Sequence, residues 1–296
     1  MSQAGVSGIY GKNETPMIGR TAILAVGAMA VVAQDQQPGS RPGWPCVGRP
    51  DPSYFRVAEA TGGQVFLFDK SEIGSSAILP IAARRYDETV FRVAGSLADG
   101  RHEFSFPIDS AVEGMMVSVS LQCLQSVDIV TPSGQLLQNT AAGEFHAFRA
   151  GRIVTLPQPE PGGWHVRVAG HGMFFLVVLA KSELSLDRVE FVREGGRPGH
   201  EGLFPTREPP RAAVPQWLAI EVSGSMSDVR ARLVTSAFEE ITTLPLRESS
   251  SGANEHAFVA QVTPPATPFR IVVSGIDAIG LPFQRVHAPL FEPTLR

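Results

Sequence analysis

Short stretches in which apolar and polar side chains alternate recur through most of the chain. In "MMVSVSLQC", which begins at Met115, every second residue is apolar, and "HEFSFPI" places Phe104, Phe106 and Ile108 on one face. A two-residue period is typical of strands that bury one face in a core. Turn formers separate these stretches, with 29 Gly and 24 Pro in 296 residues. The pattern therefore predicts a mainly β fold.

The alternating stretches form two groups, which predict two antiparallel β-sandwiches. The first group lies in 86–182 and includes "MFFLVVLAK", whose apolar residues on both faces indicate a central strand. We expect a jelly roll or a similar sandwich there. The second group lies in 183–296, where "QWLAIEVSG", "HAFVAQV" and "TPFRIVVSG" are the predicted strands and 277–280 is a hairpin connection.

A short helix and a strand are predicted before the first sandwich. Asp51 can cap the helix, Pro52 suits its first position, and Gly62 and Gly63 end it. The strand "QVFLFD" follows directly. Because one helix and one strand cannot bury a core alone, we expect this segment to pack against a larger part of the chain.

The N-terminus has the pattern of an export signal. From Thr21 to Ala33 the chain is uncharged and mostly apolar. This run of about 13 residues is shorter than the roughly 20 that span a bilayer. We predict a signal peptide in 1–33, with a start at Met17 and cleavage after Ala33. A buried core helix and a membrane anchor are the alternatives. The mature chain would then be secreted or otherwise extracytoplasmic, without stable membrane insertion.

Charge and cysteine content narrow the possible chemistry. The formal net charge is −4 and the pI is about 6.0, so no basic surface for nucleic acid is expected. Alternation places Cys123 on the buried face of its strand. A free, buried thiol is favoured there over a disulfide with Cys46, which remains the alternative. No Cys-x-x-Cys motif or Cys/His cluster in the sequence indicates zinc or redox chemistry.

One stretch, "WLAIEVSGSMSD", looks like the start of a metal-ion-dependent adhesion site. Such a site begins Asp-x-Ser-x-Ser after a strand, and here Glu221, Ser223 and Ser225 occupy those positions. Its oxygen ligands converge at the carboxyl ends of parallel strands. The residues that follow show strand patterns broken by prolines instead of alternating strands and helices. We therefore interpret the stretch as an ordinary strand and its polar turn, and predict no metal site.

Histidines supply possible bases, but none lies in a known catalytic motif. The chain has neither a Gly-x-Ser-x-Gly elbow nor a His-Glu-x-x-His pair. His165 and Arg167 alternate with apolar residues and are predicted to face solvent. We predict no catalytic residue and no cofactor. A carboxylate pair across a cleft leaves a hydrolase as a less favoured alternative.

Tryptophans are the candidates for surface recognition. Trp44, Trp164 and Trp217 can each offer an aromatic face to a sugar or a protein. Trp164 is in phase with Val166 and Val168, which favours a place in the core. Trp217 stands at a strand start and is the candidate binding residue.

The chain resembles part of a known group of extracellular proteins. "DPSYFRVAEATGGQVFLFDKSEI" resembles the late helix and strand of von Willebrand factor type A domains in hemicentin-like proteins. Downstream, "VDIVTPSGQLL", "LPQPEPGGWHVRVAGHG" and "PPATPFRIVVSGIDAIGLPFQRV" are similar to the β-sandwich and immunoglobulin-like regions that follow such domains. The resemblance implies a linker and type A remnant in 34–85 and an immunoglobulin-like sandwich in 183–296. The metal-binding half of the type A domain has no counterpart here, so metal-dependent adhesion is not implied.

These observations predict an exported, non-catalytic protein that binds through its sandwich surfaces. We expect a protein partner, with a glycan as the alternative that a carbohydrate-binding module would take. Nucleic acid is not expected.

Overall fold

The structure is a computed structural model. It describes residues 22–26 and 29–34 by their backbone, and residues 46–72, 74, 86–138, 143–197, 202–252 and 254–295 with their side chains. Within these ranges the fold is mainly β, as predicted, and no helix is long and apolar enough to cross a bilayer.

The N-terminal elements form a small sheet beside one helix. They are β1 (Ala22–Val26), β2 (Met29–Gln34), α1 (Pro52–Thr61), β3 (Gln64–Asp69) and a 3₁₀ turn (Lys70–Glu72). Asp51 caps α1 by accepting a bond from the Ser53 amide at 2.8 Å. Gly62, with φ of 72°, ends it in the left-handed conformation that glycine tolerates. The predicted helix and strand are confirmed, and β2 pairs with β3 in parallel.

Five antiparallel strands form the first sandwich. They are β4 (Glu88–Ile108), β5 (Val112–Val130), β6 (Glu144–Phe148), β7 (Gly151–Pro157) and β8 (Gly162–Ser182). Their order in the sheet is β4-β8-β5-β7-β6. The stretch "MFFLVVLAK" is the second half of β8, which lies between β4 and β5. The predicted central position is confirmed, and 174–178 are fully buried because both faces of the strand are covered.

This sheet folds over on itself to make two layers. Phe91 and Phe106 belong to the same strand, yet their ring centroids lie 5.7 Å apart. In a straight strand, fifteen residues would separate them by about 50 Å. The first half of β4 therefore packs against its own second half, and both halves contribute to one core.

The fold line crosses three adjacent strands at the same level. Register shifts interrupt β4 between Leu97 and Gly100, and β5 at Cys123 and again after Leu124. Bulges bend strands and increase their twist. We expected several short strands in this region. The structure instead joins "HEFSFPI" to the strand before it, and "WHVRVAG" to "MFFLVVLAK", because the chain bends at bulges without leaving the ladder.

The second sandwich has two separate sheets facing each other. Its strands are β9 (Ser185–Gly195), β10 (Gly202–Pro205), β11 (Gln216–Ser223), β12 (Met226–Val234), β13 (Glu240–Leu244), β14 (Arg247–Ser251), β15 (Glu255–Val262), β16 (Arg270–Asp277) and β17 (Pro282–Val286). One sheet has the order β10-β9-β11-β15-β14 and the other β13-β12-β16-β17. All pairs are antiparallel, and a turn at 278–281 joins β16 to β17 as predicted.

A buried ion cluster joins the helix to both sandwiches. Glu59 of α1 lies 3.1 Å from the Arg92 guanidinium of β4 and 2.5 Å from that of Arg270 in β16. Both arginine side chains are fully buried. Arg92 also donates to the carbonyls of Ala58 and Gly63. Burial and the neighbouring Arg270 lower the pKa of Arg92 to about 10, so it stays charged at neutral pH.

A second buried cluster lies where the chain passes from one sandwich to the other. Arg285 of β17 donates two bonds to the Asp109 carboxylate, at 2.7 and 3.2 Å, and one to the Leu184 carbonyl at 2.9 Å. Glu88 lies 3.9 Å from the same guanidinium, and burial raises the pKa of Glu88. Because little water reaches these groups, loss of either charged partner would leave the other buried without compensation.

A disulfide joins Cys46 to Cys123, which corrects the free-thiol interpretation. Alternation in β5 correctly predicted that Cys123 is buried. Cys46 lies in an irregular segment that pairs briefly with β5, and the Val47 amide donates to the Gln122 carbonyl at 3.0 Å. Because this pairing joins residues 77 positions apart, no local pattern could predict it.

Candidate functional site

The candidate binding surface is a groove on the outer face of the β10-β9-β11-β15-β14 sheet. Trp217 lies at the start of β11, opposite Val192 of β9 and Gln261 of β15. Its neighbours in β11, Leu218 and Ile220, point into the core, so alternation turns Trp217 outward. The predicted position at a strand start is correct, and the indole is half-buried.

Edge strand β10 closes the groove on one side. The groove has a volume of about 600 Å³ and is lined by Glu194, Gly195, Gly202, Leu203, Trp217 and Val259. Leu203 and its neighbour Phe204 are 40% and 44% exposed. Both apolar side chains are therefore exposed at this edge of the sheet, and Leu203 is the one that lines the groove. An aromatic floor with an apolar rim is typical of the central part of a protein-binding surface.

Charged pairs border this groove along the same face. Arg188 of β9 donates to Glu221 of β11 at 2.9 Å and also pairs with Glu190. These side chains follow Trp217 at two-residue spacing toward the other end of the sheet. The face therefore combines a mainly apolar groove, which also contains Glu194, with the ion pairs of Arg188 farther along the strands.

The adhesion-site motif lies on this sheet, in antiparallel surroundings. Glu221 and Ser223 belong to β11, and Ser225 lies in the turn that leads to β12 in the opposite sheet. The Ser223 hydroxyl donates to Asp187 at 2.5 Å. This placement agrees with a strand and its turn, and these residues do not stand at the end of a parallel strand.

The other tryptophans do not contribute to this surface. Trp164 is 2% exposed, lies in the core of the first sandwich as expected, and donates its indole N–H to the Glu160 carbonyl at 2.8 Å. Trp44 lies outside the described residues.

A serine, a histidine and a glutamate meet on the first sandwich, although no sequence motif marks this group. The Ser105 hydroxyl lies 2.9 Å and a Glu103 oxygen 3.0 Å from the same atom, Nδ1 of His165. A catalytic triad needs the serine and the acid on opposite nitrogens of the ring. These residues therefore form a surface polar cluster, and His165 and Arg167 face solvent as predicted.

A second, polar groove adjoins this cluster. It has a volume of about 310 Å³, and Arg101, Glu103, Asp128 and Arg167 contribute its charges. Arg167 donates to Glu103 at 2.9 Å and holds the pKa of that carboxyl below its usual value. Glu103, Arg167 and Asp128 come from three neighbouring strands at one register level. No local sequence signal joins them, since they meet only through strand pairing.

Comparison with known proteins bears on the first sandwich. Residues 89–183 match the family model described as hemicentin galactose-binding domain-like. This part of the chain is a hemicentin-like β-sandwich. Hemicentin-1 of Mus musculus is 21% identical over 245 residues, covering 81% of this chain and 4% of hemicentin-1. For hemicentin-2 of the same species, 21% identity over 247 residues covers 81% of this chain and 5% of that protein. The chain therefore spans a small fraction of the length of these curated relatives.

Among solved structures, a Bacillus licheniformis lipase in propeptide form aligns with 88% of this chain and 61% of its own chain. The sequence identity is 13% and the TM-score is 0.31.

Proposed function

We propose that this chain is an exported, non-catalytic binding or structural protein that acts through its sandwich surfaces. The observation that carries the proposal is the match of residues 89–183 to the hemicentin galactose-binding-like model. The similarity to hemicentin-1 and hemicentin-2 extends over 81% of the chain, beyond the sandwich itself. Extracellular or cell-surface interaction is the role that fits these relatives.

The proposal assigns one role to each part of the chain. Residues 34–85 are a linker and a remnant of a von Willebrand type A domain, residues 86–182 the hemicentin-like sandwich, and residues 183–296 an immunoglobulin-like sandwich. The strand order of the second sandwich supports the last assignment. With the edge strand β10 set aside, the sandwich has eight strands. In chain order, the first, second, sixth and fifth of these form one sheet, as β9-β11-β15-β14. The other four form the second sheet, as β13-β12-β16-β17. Immunoglobulin sandwiches share this order.

Export is proposed through a signal peptide in residues 1–33 that is cleaved after Ala33. The Cys46–Cys123 disulfide supports this, because such bonds persist in oxidising compartments. Cleavage there would remove β1 and all of β2 except Gln34, and would leave one edge of β3 without its parallel neighbour. The test is to express the full gene product in a secreting host and sequence the N-terminus of the protein in the medium. We expect Gln34; a chain that stays in the cytoplasm with 1–33 attached would contradict export.

The Trp217 groove is the proposed contact with a protein partner. Its mainly apolar lining and the charged pairs farther along the same face resemble the centre and rim of known interfaces. The chain should be screened against an array of secreted and cell-surface proteins. Replacing an aromatic anchor commonly costs 2 kcal/mol or more, so Trp217→Ala should weaken a detected interaction about 30-fold or more.

The matched control is Ile279→Ala, which removes an exposed apolar side chain from the turn between β16 and β17. We expect no change in affinity from that substitution. If both variants bind as tightly as the wild type, Trp217 is not the contact.

Carbohydrate binding is the second candidate, and the polar groove at Glu103 and Arg167 is the observation that favours it. Hydroxyl groups of sugars bind to such planar, charged side chains, and Trp217 offers a stacking surface elsewhere. A glycan array distinguishes the candidates. Glycan binding that Arg167→Ala or Trp217→Ala abolishes, together with an empty protein array, would favour a carbohydrate-binding module.

A further inference from the structure

The disulfide lies on the fold line of the first sandwich, beside a histidine. Cys123 of β5 is the register partner of His171 in β8, and Cys46 approaches from the N-terminal segment. The two sulfur atoms and a ring nitrogen of His171 all lie within 4.8 Å of one another. Among the described residues, Cys46, Cys123 and His171 form a group of His, Cys, Asp or Glu side chains whose donor atoms lie close enough together to hold one metal ion.

The backbone is specialised to bring the imidazole this close. Gly170 and Gly172 flank His171 with φ of 144° and 100°. A Cβ atom on Gly170 would lie 2.2 Å from the Cys123 carbonyl oxygen, and one on Gly172 would lie 2.7 Å from the Gln122 side chain. Only glycine fits at both positions, so β8 passes unusually near β5 at this level.

Two thiolates and one imidazole are a donor set that suits Zn²⁺. Zinc binds sulfur at about 2.3 Å and imidazole nitrogen at about 2.0–2.1 Å in a tetrahedron, which places two sulfur ligands about 3.8 Å apart. After reduction the sulfurs must separate to reach that spacing. Cys46 is held to β5 by one isolated bridge, whereas Cys123 and His171 lie in continuous ladders, so Cys46 is the sulfur that would move.

We propose that reduction of the Cys46–Cys123 disulfide converts this corner into a Zn²⁺ site. A trialkylphosphine and one water molecule reduce the disulfide to two thiols, and the phosphine becomes its oxide. Zn²⁺ then displaces the two thiol protons and binds both thiolates and the neutral His171 ring. A water molecule supplies the fourth ligand. The oxidised chain carries the disulfide and binds no zinc here, so the two states exclude each other.

The proposal adds a redox-dependent metal site to a protein proposed to act by binding, and does not depend on that role. It is tested on the full chain after reduction by phosphine under argon, followed by titration with Zn²⁺ against a chromogenic chelator. We expect one tight site per reduced chain and none in the oxidised chain. Substitution by Co²⁺ should give the thiolate-to-metal charge-transfer absorption that two sulfur ligands produce.

His171→Asn provides the decisive variant. It keeps both cysteines, so its fold can be verified by circular dichroism in the oxidised state before reduction. Loss of a second-shell partner commonly weakens metal sites by 10- to 100-fold, so loss of a direct ligand should weaken Zn²⁺ binding by more than about 100-fold. The control is His165→Asn, which alters an exposed histidine of the same strand and should leave zinc binding unchanged.

Three results would overturn the proposal. The first is a reduced, folded chain that binds no zinc. The second is equal affinity in the wild type and His171→Asn, which would indicate ligands elsewhere. The third is unfolding on reduction that Zn²⁺ does not reverse, because the ligands would then no longer be held together.

Discussion

At the scale of single residues, Glu59 is the carboxylate at the centre of the buried ion cluster that joins the helix to both sandwiches. It is the carboxylate shared by Arg92 and Arg270, both fully buried. Glu59→Gln removes the negative charge and leaves two guanidiniums facing each other without solvent. Removing one partner of a buried ion pair costs about 3–5 kcal/mol, so we expect a loss of that size in the free energy of unfolding. Urea denaturation followed by circular dichroism measures it.

The matched control is Glu208→Gln, at an ion pair with Arg211 whose glutamate side chain is 77% exposed. That substitution should change the free energy of unfolding by less than about 0.5 kcal/mol. Similar losses in both variants would mean that burial of the Glu59 cluster adds nothing to its strength.

His287 should make stability depend on pH in the acidic range. Burial, together with the positive charge of Arg270, lowers the pKa of His287 from 6.5 to about 4. In the unfolded chain the His287 ring therefore binds a proton near pH 6.5, whereas in the folded chain it binds one only near pH 4. This makes the free energy of unfolding fall as pH decreases across that window. His287→Phe keeps the ring stacked on Phe291 and should give a flatter profile in thermal melts from pH 7 to 4. An unchanged slope would show that His287 does not titrate in this way.

At the same scale, the alternation of apolar and polar residues predicted whether a side chain faces the core or the solvent, but not which residues it contacts. It placed Trp164 inside and His165 outside because both lie in a regular part of β8, and it placed Cys123 inside although the ladder of β5 shifts register there. The disulfide partner of Cys123 was beyond its reach, since Cys46 lies in an irregular segment. The neighbours of Trp217 were equally hidden, because Leu203 and Val259 join it only through strand pairing.

At the scale of elements, the fold line of the first sheet depends on glycine. Gly170 combines a φ of 144° with a Cβ position 2.2 Å from the Cys123 carbonyl. Backbone strain and overpacking each cost about 1–3 kcal/mol, so Gly170→Ala should destabilise the chain by about 2–6 kcal/mol. Gly163→Ala is the control in the same strand, because its Cβ would contact nothing within 4 Å. Equal melting temperatures for both variants would show that β8 can relax at the bend.

The strand predictions were correct in position and wrong in length for the same physical reason. In most sequences, glycines and polar residues end a strand. In this chain they lie at bulges, and the hydrogen-bonded ladder continues past them. Capping residues, in contrast, act locally. Asp51 and Gly62 therefore predicted both ends of α1.

At the scale of the whole molecule, polar contacts and one strained loop hold the two sandwiches together. Phe238 lies in a loop of the second sandwich with φ of 64°, which a bulky residue rarely adopts. Its ring packs on Phe91 of the first sandwich at 4.4 Å between centroids, and the neighbouring Ser236 carbonyl accepts a bond from the Ala94 amide. Sequence patterns that separate the two sandwiches could not predict this contact, because its partners lie more than a hundred residues apart.

This contact and the buried pair of Asp109 with Arg285 predict that both sandwiches unfold together. Exposing either sandwich alone would leave Arg285 or Asp109 without its partner in a poorly hydrated site, which costs about 3–5 kcal/mol. We expect one calorimetric transition whose enthalpy equals the van't Hoff value. Asp109→Asn should lower the temperature of this single transition, and both sandwiches should unfold at the lowered temperature. Fluorescence of Trp164 in a chain with Trp44→Phe and Trp217→Phe, and of Trp217 in a chain with Trp44→Phe and Trp164→Phe, should report the same shift from each sandwich. Two separate transitions in the wild-type chain would show that the sandwiches are independent domains joined by a weak interface.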